Sequence, residues 1–475
     1  MKQFFIYILV AFFLTSCVAK KSGNSNLPLK EFEPCDCIAN WRWLKETFEK
    51  NDAGFQWAIE KKGLESYQQF SDSIENEIKK AKDIYECQQI MNSWGQFFRK
   101  GHFYIGANQV ARTESVPVDT EKVDYSIETV KSQAQSLKDT LIGVWHSHPY
   151  KIGIVKDTIN SSRKYVGFII ESRVEEWNEG EVKVEFFEID NKLSANFYML
   201  DHSLEKRDVR LKGDAKLFIG NMRFLNTMKI DTLEQQLLAT SKPLFFKLSD
   251  ETVLLRVPSF VTSHREAINS LIRNNEKIIL SHKNLIIDLR GNGGGSDANW
   301  RGIIPFLYTN PIETVGMEFY STALNREHFL SIPLLGRLIY SKYIRNLKRN
   351  DGQFVVRDSV SITKLKTVHP KPEKVIVLVD ESCGSSTEQF ILAAQQSSKT
   401  TIYGKQTFGA LDASNMVSVY TPDNLFFMGY CVTRTLRAPE NRIDDIGIEP
   451  DIIIPDSIPK YKWIDFVIND INQTK

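Results

Sequence analysis

The stretch Asn284-Leu285-Ile286-Ile287-Asp288-Leu289-Arg290-Gly291-Asn292-Gly293-Gly294-Gly295 joins a short apolar run to a loop with four glycines in five residues. The run from Leu285 to Leu289 has the length and composition of a strand that is covered on both faces, as in a parallel sheet. Similar runs recur at Val253–Val257 and Val375–Val379, and helical patterns lie between them. Strands that alternate with helices predict an α/β fold with a mostly parallel sheet and flanking helices.

The glycine-rich loop after this strand can bring backbone N–H groups together around an anion, because no Cβ atom obstructs them. An oxyanion hole and a phosphate cradle both require this. The loop lacks the Lys and Ser/Thr that follow the last glycine of a Walker loop, and its spacing differs from the dinucleotide fingerprint. These departures count against nucleotide binding.

A second loop, Val379-Asp380-Glu381-Ser382-Cys383-Gly384-Ser385-Ser386-Thr387-Glu388, runs from a strand through a turn of small residues into a helix. A serine in such a turn lies at a helix N-terminus, where the amide dipoles favour the negative charge that develops during acyl transfer. This is the arrangement of a nucleophile elbow, although the usual Gly-x-Ser-x-Gly sequence is absent. The loop alone leaves open a second interpretation, in which Ser385 or Ser386 only caps the helix.

The chain before these loops divides into two further segments. Apolar residues at helical spacing, such as Phe70, Ile74 and Ile78, predict a helical N-terminal domain over residues 31–115. Short β-type runs predict a small β-rich module over residues 116–245. This module is either a peptide-binding domain of the PDZ type or a β-barrel that serves as a spacer.

The α/β pattern extends over residues 246–456, and residues 457–475 follow it as a C-terminal segment. The stretch at about 311–368 interrupts the alternation of strands and helices and is basic around Lys342 to Arg349. We interpret this stretch as a solvated insertion into the α/β domain.

The composition excludes several classes of protein. The chain has 475 residues, 42% of them hydrophobic and 25% charged, which is typical of a globular protein with two or three domains. Because 60 basic residues face 59 acidic ones, the net charge of +1 attracts neither nucleic acid nor an anionic membrane surface. The six cysteines are too few for a disulfide framework and lack a metal-ligand spacing, so we expect no metal site.

The N-terminus indicates the compartment. The apolar stretch Phe4–Leu14 is too short for a mature membrane-spanning helix and suits the h-region of a secretory signal. It ends in Leu14-Thr15-Ser16-Cys17, which resembles the lipobox of bacterial lipoproteins. On this interpretation residues 1–16 are removed, Cys17 is lipidated as the first mature residue, and residues 17–30 form a flexible tether. We therefore expect a protein anchored by lipid in the envelope of a Gram-negative-type bacterium, in the periplasm or at the cell surface. The alternative is a plain signal peptide with an incidental cysteine.

The two loops together resemble a family of serine peptidases. The family includes the C-terminal processing (tail-specific) peptidases, the tricorn core protease and the retinoid-binding protein of the photoreceptor matrix. The resemblance implies a ClpP/crotonase-like fold for the α/β domain and covers about 250 to 455, and less clearly 38 to 105. It rests on four matches in chain order: Ile287-Asp288-Leu289-Arg290-Gly291-Asn292-Gly293-Gly294-Gly295, Ser385-Ser386-Thr387-Glu388, Gly404-Lys405-Gln406-Thr407-Phe408-Gly409 and Gly447-Ile448-Glu449-Pro450-Asp451.

The resemblance implies a role for each residue that matches. The family nucleophile lies three residues before the Glu of the elbow, which is Ser385 here. Its oxyanion would be bound by backbone amides of Gly293 or Gly294 and of Ser386. Glu388 would orient the loop.

The general base departs from the pattern of the processing peptidases. That branch has a Lys 25 residues after the nucleophile, and Ala410 occupies this position; Lys405 is only a minor candidate. The tricorn branch instead implies His102 as the base and Asp444 as the acid that fixes its tautomer. Gly101 stands where the tricorn enzyme has a further Ser.

Other residues compete for these roles. His146 and His148 are the next candidates for the base. Such a pair could also suggest a metal, but no acidic or Cys ligand lies at helical spacing beside it, so turn chemistry before Pro149 is the preferred interpretation. Cys383 could attack in place of the serine, but a small buried residue is the simpler interpretation.

The expected activity is that of a serine-type endopeptidase that cleaves peptides or unfolded proteins in the cell envelope through an acyl-enzyme. The resemblance implies no metal, no organic cofactor and no nucleic-acid partner. A non-catalytic lipoprotein of the same fold, which binds peptides or an apolar ligand, is the alternative, because the family Lys is missing.

Overall fold

The computed structural model leaves the first part of the sequence undescribed, so the predicted signal peptide, Cys17 and the tether lie outside the described residues. In the part that is described, no helix is long and apolar enough to cross a membrane. The described residues are 34–81, 84–108, 121–147, 149–172, 174, 176–189, 192–199, 202, 204–212, 216–220, 222–229, 233–331, 337–338 and 340–473.

The described residues form two compact units. One unit contains the residues up to 108 together with those from 240 onwards, and the other contains the residues between 121 and 239. The second unit is therefore inserted into the sequence of the first.

The first unit begins with a helical segment that packs around aromatic side chains. Trp41, Phe48 and Trp94 are fully buried there and meet edge to face. A disulfide bond between Cys37 and Cys87 joins the first and fourth helices. The elements are α1 Pro34–Asn51, α2 Phe55–Lys62, α3 Leu64–Ile78, α4 Ile84–Trp94 and the strand β1 Tyr104–Ala107.

The second unit is a closed barrel of antiparallel strands; whether it serves as a spacer stays a prediction. The barrel closes where Trp145 of its first strand pairs with Asn226 of its last, and buried residues such as Ile152, Phe186 and Phe224 fill its interior. Closure leaves no unpaired sheet edge. The elements are α5 Ile127–Leu137, β2 Gly143–Ser147, β3 Tyr150–Lys156, β4 Tyr165–Ser172, β5 Val182–Ile189, β6 Lys192–Tyr198, β7 Leu204–Lys212, β8 Lys216–Ile219, β9 Met222–Asn226 and α6 Leu233–Ala239.

The remainder of the first unit is a mixed α/β structure with two sheets. Its strands are β10 Leu244–Lys247, β11 Thr252–Arg256, β12 Asn284–Asp288, β13 Ile312–Ser321, β14 Gln353–Thr363, β15 Lys374–Val379, β16 Thr400–Gly404, β17 Ala413–Tyr420, β18 Phe426–Thr435 and β19 Ile452–Ile453. Its helices are α7 Arg265–Ile279, α8 Ile304–Leu307, α9 Ala323–Leu330, α10 Ser341–Arg349, α11 Ser386–Ala394 and α12 Trp463–Gln473.

The first sheet has the strand order β10-β11-β12-β15-β16-β19. Neighbouring strands from β11 to β19 run parallel, and only β10 pairs antiparallel. In the register, Asp288 at the end of β12 lies opposite Leu378 near the end of β15. The glycine-rich loop and the elbow therefore leave adjacent strands at the same edge, which is where open α/β sheets place their sites.

The second sheet is antiparallel and joins the helical segment to the α/β part. Its order is β1-β18-β13-β14, and β17 also pairs with β18. A separate domain was predicted over residues 31–115, whereas Trp41 and Trp94 share one buried cluster with Phe426 and Tyr430 of β18. The base-bearing segment before β1 is therefore part of the same compact unit as the elbow.

The prediction of an insertion at about 311–368 was wrong. Strand β13 pairs with β18 through Phe319 and Thr433 and with β14 on its other side, so this stretch supplies a central strand and an edge strand of the second sheet. Its antiparallel pairing connects distant parts of the chain and leaves no local periodic signal, and the interrupted alternation therefore looked like an insertion. The basic helix α10 lies in this stretch and buries only Leu347 fully.

Candidate active site

Ser385 occupies the sharp turn between β15 and α11. Its φ of 57° lies in the left-handed region that a residue with a Cβ rarely adopts, and such strain is typical of functional positions. The backbone N–H of Ser385 donates to Glu388 Oε2 at 3.0 Å. The turn thus presents the hydroxyl at the edge of the sheet, with the N-terminus of α11 directly behind it.

His102 lies beside this serine. Its Nε2 is 3.0 Å from Ser385 Oγ, and its Nδ1 is 2.6 Å from the carbonyl oxygen of Ala413. A carbonyl can only accept a hydrogen bond, so Nδ1 carries the proton and Nε2 offers its lone pair to the Ser385 hydroxyl. Burial is the main cause that lowers the pKa of His102, which favours this neutral form.

A buried ion pair holds the backbone of His102. Arg99 donates to both carboxylate oxygens of Asp52, at 2.8 and 2.5 Å, and one of its guanidinium nitrogens also donates to the His102 carbonyl at 3.0 Å. Asp52 in turn accepts from the backbone N–H of Cys431 on β18 at 3.0 Å. The pair therefore ties the end of α1, the His102 segment and the second sheet together.

The predicted contact between Asp444 and His102 is absent, which corrects the expected triad. Asp444 instead accepts hydrogen bonds from the backbone N–H groups of Leu411, Asp412 and Ala413, at 2.6, 2.7 and 3.0 Å. It acts on the base through the loop that supplies the Ala413 carbonyl. Burial, followed by the negative charge of Asp412, raises the pKa of Asp444.

Asp412 completes this loop from the other side. Its Oδ2 accepts from the backbone N–H groups of Ile443 and Asp444, at 2.6 and 2.7 Å. Arg437 donates to its other oxygen at 3.1 Å. Asp444 therefore binds the backbone around Asp412, and Asp412 binds the backbone around Asp444. These hydrogen bonds fix the position of the Ala413 carbonyl.

The oxyanion site has two of the three predicted donors. Within the described residues, the backbone N–H groups of Gly293 and Ser386 make no hydrogen bond, so both can bind a developing oxyanion. The N–H of Gly294 donates to Asn292 Oδ1 at 2.9 Å, and its prediction as a donor was wrong. The reason is local, since the Asn292 side chain folds back on its own loop.

Gly294 is nevertheless required at its position. An added Cβ would lie 2.7 Å from the Ser385 Cβ and 2.9 Å from the Ser386 nitrogen. The absence of a side chain lets the glycine-rich loop approach the elbow, and the Gly293 amide is brought to the nucleophile in this way.

Glu388, for which the family resemblance implied a role in orienting the elbow, links the elbow to a second loop. Its fully buried carboxylate also accepts from Thr407 Oγ1 and from the backbone N–H groups of Gly409 and Ala410, at 2.5, 2.8 and 2.9 Å. Burial raises the pKa of this carboxyl, and the hydrogen bonds oppose that change. Its four donors fix the loop that leads to Ala410.

The missing Lys has a steric explanation. The Cβ of Ala410 is 2.7 Å from the position that a Cβ on Gly101 would occupy. Ala410 is buried against the residue that precedes His102, so a long side chain at this position would compete with the base for space. The same contact excludes a Ser at Gly101.

The other candidates lie in different surroundings. Lys405 pairs with Asp456 at 2.5 Å, and Cys383 is fully buried, where burial raises the pKa of its thiol. His146 belongs to strand β2 of the barrel, and His148 lies outside the described residues. In the described part of the chain no three His, Cys, Asp or Glu side chains are grouped as a metal site requires.

Sequence reasoning missed Arg99, Asp52, Asp412 and the Ala413 carbonyl. A backbone carbonyl has no sequence signature, and an ion pair between residues 47 positions apart has none either. The sequence contains the adjacent acids Asp444 and Asp445, and a role at the site was predicted only for Asp444.

The arrangement suits nucleophilic attack on a carbonyl group. It provides a hydroxyl, an unprotonated imidazole nitrogen within hydrogen-bonding distance, and two amide donors on the adjoining loop and helix. These are the parts that acyl transfer requires.

Comparisons with known proteins show which family model and which folds this chain resembles. Residues 251–454 match the model of peptidase family S41. Similar solved structures include mature CPAF in complex with lactacystin, with a TM-score of 0.54 and 13% identity over 92% of this chain and 97% of that chain. Mature CPAF alone has a TM-score of 0.51 and 12% identity, over 92% and 96%. The photosystem II D1 C-terminal processing protease has a TM-score of 0.38 and 11% identity, over 90% and 94%. No curated protein matches the sequence.

Proposed function

We propose that this chain, whose residues 251–454 match the model of peptidase family S41, is a serine endopeptidase of the cell envelope. It would cleave peptides or unfolded proteins through an acyl-enzyme on Ser385. The observation that carries the proposal is the 3.0 Å contact between His102 Nε2 and Ser385 Oγ, with the tautomer set by Ala413.

The first half-reaction forms the acyl-enzyme. The Ser385 hydroxyl gives its proton to His102 Nε2 as its oxygen attacks the carbonyl carbon of the scissile bond. The oxygen of that carbonyl becomes negative and accepts from the amides of Gly293 and Ser386. When the intermediate collapses, the C–N bond breaks and the proton on Nε2 passes to the leaving amine.

The second half-reaction restores the enzyme. A water molecule gives a proton to His102 Nε2 and attacks the ester carbon, and the same two amides stabilise the second intermediate. The ester bond to Ser385 then breaks, and the proton returns to its oxygen. Throughout both halves, Nδ1–H remains bonded to the Ala413 carbonyl, so the imidazolium is stabilised by a dipole and not by a direct carboxylate contact.

Two observations support a location outside the cytoplasm. The sequence Leu14-Thr15-Ser16-Cys17 follows an apolar stretch of signal-peptide length. The disulfide bond between Cys37 and Cys87 is of the kind that persists in oxidising compartments. We propose that Cys17 carries a lipid anchor, which incorporation of a palmitate analogue into the chain, and its loss in Cys17→Ala, would test.

The non-catalytic alternative rested on the missing Lys. The space that a Lys at position 410 would need lies against Gly101, next to His102, which supplies a base of another kind. This observation favours the enzyme over a binding protein.

The decisive experiment combines labelling with hydrolysis. The purified full chain is treated with a serine-directed phosphonate, and the modified residue is identified by mass spectrometry of the digest. Hydrolysis of unfolded casein is followed in parallel with Ser385→Ala, and with Ser382→Ala as a control in the same loop. We expect labelling of Ser385 alone and activity lost only in Ser385→Ala. Failure of wild type in both assays would contradict the proposal.

A further inference from the structure

Asp297 lies next to the oxyanion site although the reaction described above does not use it. It follows the glycine-rich loop, two residues after Gly295, and its Oδ1 accepts from Ser386 Oγ at 2.6 Å and from Trp300 Nε1 at 3.3 Å. Ser386 also supplies one of the two oxyanion amides. Covalent geometry therefore puts the Asp297 carboxylate within about 6 Å of that amide nitrogen.

One oxygen of this carboxylate is open. Among the described residues, Oδ2 accepts no hydrogen bond and no cation pairs with the carboxylate; Arg301 attracts it only from a distance. Asp297 is an exposed residue, yet the protein around its carboxyl group raises its pKa. The open oxygen is therefore available to a partner that the described residues do not supply.

The position of the Asp297 carboxylate is unfavourable for the transition state of an uncharged substrate. The reaction develops a negative charge at the amides of Gly293 and Ser386, and a carboxylate nearby repels it. A positively charged substrate side chain that binds Oδ2 would cancel this repulsion in the transition state and gain an ion pair in a partly desolvated site. The carboxylate thus turns a general catalytic site into a selective one.

A structural role alone does not explain the acid. Ser386 Oγ needs an acceptor, which a neutral amide oxygen would provide, and Trp300 Nε1 also donates to Ser386 Oγ at 3.1 Å. The negative charge is needed only if a cation is to be bound.

Building on the proposed function, we propose that Asp297 selects substrates that carry a lysine or arginine side chain beside the scissile bond. The residue is thus a specificity determinant, with Oδ1 fixed by Ser386 and Oδ2 directed to the substrate.

The test measures kcat/KM for matched peptides. Each pair differs only in Lys against its uncharged isostere norleucine, with the pair scanned over the positions flanking the scissile bond. We expect wild type to prefer Lys by about ten-fold or more at one position, and Asp297→Asn to bring this ratio close to one. In the same variant, kcat/KM for the norleucine peptide should be unchanged or higher. The control variant is Glu251→Gln, which removes an exposed carboxylate at the opposite end of the strands.

A second measurement needs no variant. Phosphonates that carry a lysine or a norleucine side chain should label Ser385 of wild type at rates that differ in the same direction. Equal labelling rates together with equal kcat/KM would overturn the inference and leave the peptidase intact. An equal loss with both peptides in Asp297→Asn would also overturn it, since only a structural role acts alike on all substrates. A wild type that cleaves no peptide and takes up no phosphonate would overturn the proposed function, and this inference with it.

Discussion

The Nδ1 atom of His102 lies 2.6 Å from the carbonyl oxygen of Ala413, and among the described residues no carboxylate contacts this ring. The carbonyl fixes the tautomer as the acid of a Ser-His-Asp triad does, but it cannot supply a full negative charge to the imidazolium. The negative charge lies further away, on Asp444, whose Oδ2 accepts a hydrogen bond from the backbone N–H of Ala413 at 3.0 Å. The mechanism therefore depends on the precise position of a peptide group.

The first prediction concerns the Ser-His pair. Ser385→Ala and His102→Ala should each lower kcat on casein or a peptide by roughly 10⁴- to 10⁶-fold, and the double variant should lose no more than either single one, because such residues act as a unit. Steady-state rates with a fluorogenic peptide measure this. Additive losses in the double variant would contradict the shared step.

The second prediction separates a direct from an indirect carboxylate. Replacement of a triad acid by its amide costs about 10⁴-fold in kcat. Asp444→Asn should cost only about ten- to a hundred-fold, because its amide oxygen can still accept from part of the loop that it holds. Asp456→Asn, which changes an exposed acid, serves as the control. A loss near 10⁴-fold in Asp444→Asn would mean that this acid reaches the imidazole during turnover.

The third prediction concerns pH. Burial lowers the pKa of His102 below its usual value near 6.5, and the negative charge of Asp444 partly opposes this. The base works in its neutral form, which predominates above its pKa. The acid limb of kcat/KM should therefore have its midpoint below 6.5, and Asp444→Asn should move it further down. A profile of kcat/KM from pH 4 to 9 measures the midpoint in wild type and in Asp444→Asn. A midpoint above 6.5 in wild type would contradict the lowered pKa of His102.

The fourth prediction concerns the position of the family Lys. Ala410→Lys should not create a Ser-Lys pair, since the new side chain would compete with the segment of Gly101 and His102. We expect at least a ten-fold loss of kcat/KM and a loss of about 1–3 kcal/mol in the free energy of unfolding, the usual cost of overpacking. Ala410→Ser is the control with a small side chain. An active His102→Ala/Ala410→Lys double variant would refute the steric argument.

The fifth prediction concerns the disulfide bond. Loss of the bond between Cys37 and Cys87 should lower the free energy of unfolding by about 2–5 kcal/mol, because the unfolded chain is no longer cross-linked. Thermal unfolding with and without reductant measures it. Reductant should lower the Tm of wild type and leave the Tm of Cys37→Ser/Cys87→Ser unchanged. A wild-type Tm that is unchanged by reductant would be inconsistent with a disulfide bond that stabilises the fold.

The sequence was most informative where structure is local. Runs such as Leu285–Leu289 and Val375–Val379 coincide with β12 and β15 to within one residue at each end, because continuous apolar stretches of this length suit strands with two covered faces. The turn at Ser385 also had a local signature of small residues before a helix. The mixed α/β class was confirmed for these reasons.

The long-range contacts had no such signature. His102 and Ser385 are 283 residues apart, and only the resemblance to a peptidase family suggested that they meet. The pairing of β13 with β18 was taken for an insertion, and the disulfide partner of Cys37 lies 50 residues away without a characteristic spacing. Asp444 binds backbone N–H groups of the loop and not the imidazole. Such hydrogen bonds to the backbone cannot be predicted from a pattern of side chains in the sequence.

The pairing of β1 with β18 also determines when, during synthesis of the chain, the base can be positioned. Tyr104, close behind the base, pairs with Gly429, and Cys431 is bound by the acid that holds Arg99. A nascent chain that has just completed Ser385 still lacks the strand against which the base is seated. The enzyme would therefore be latent while it is being made, and a truncated copy that ends before residue 426 would have a nucleophile without a positioned base.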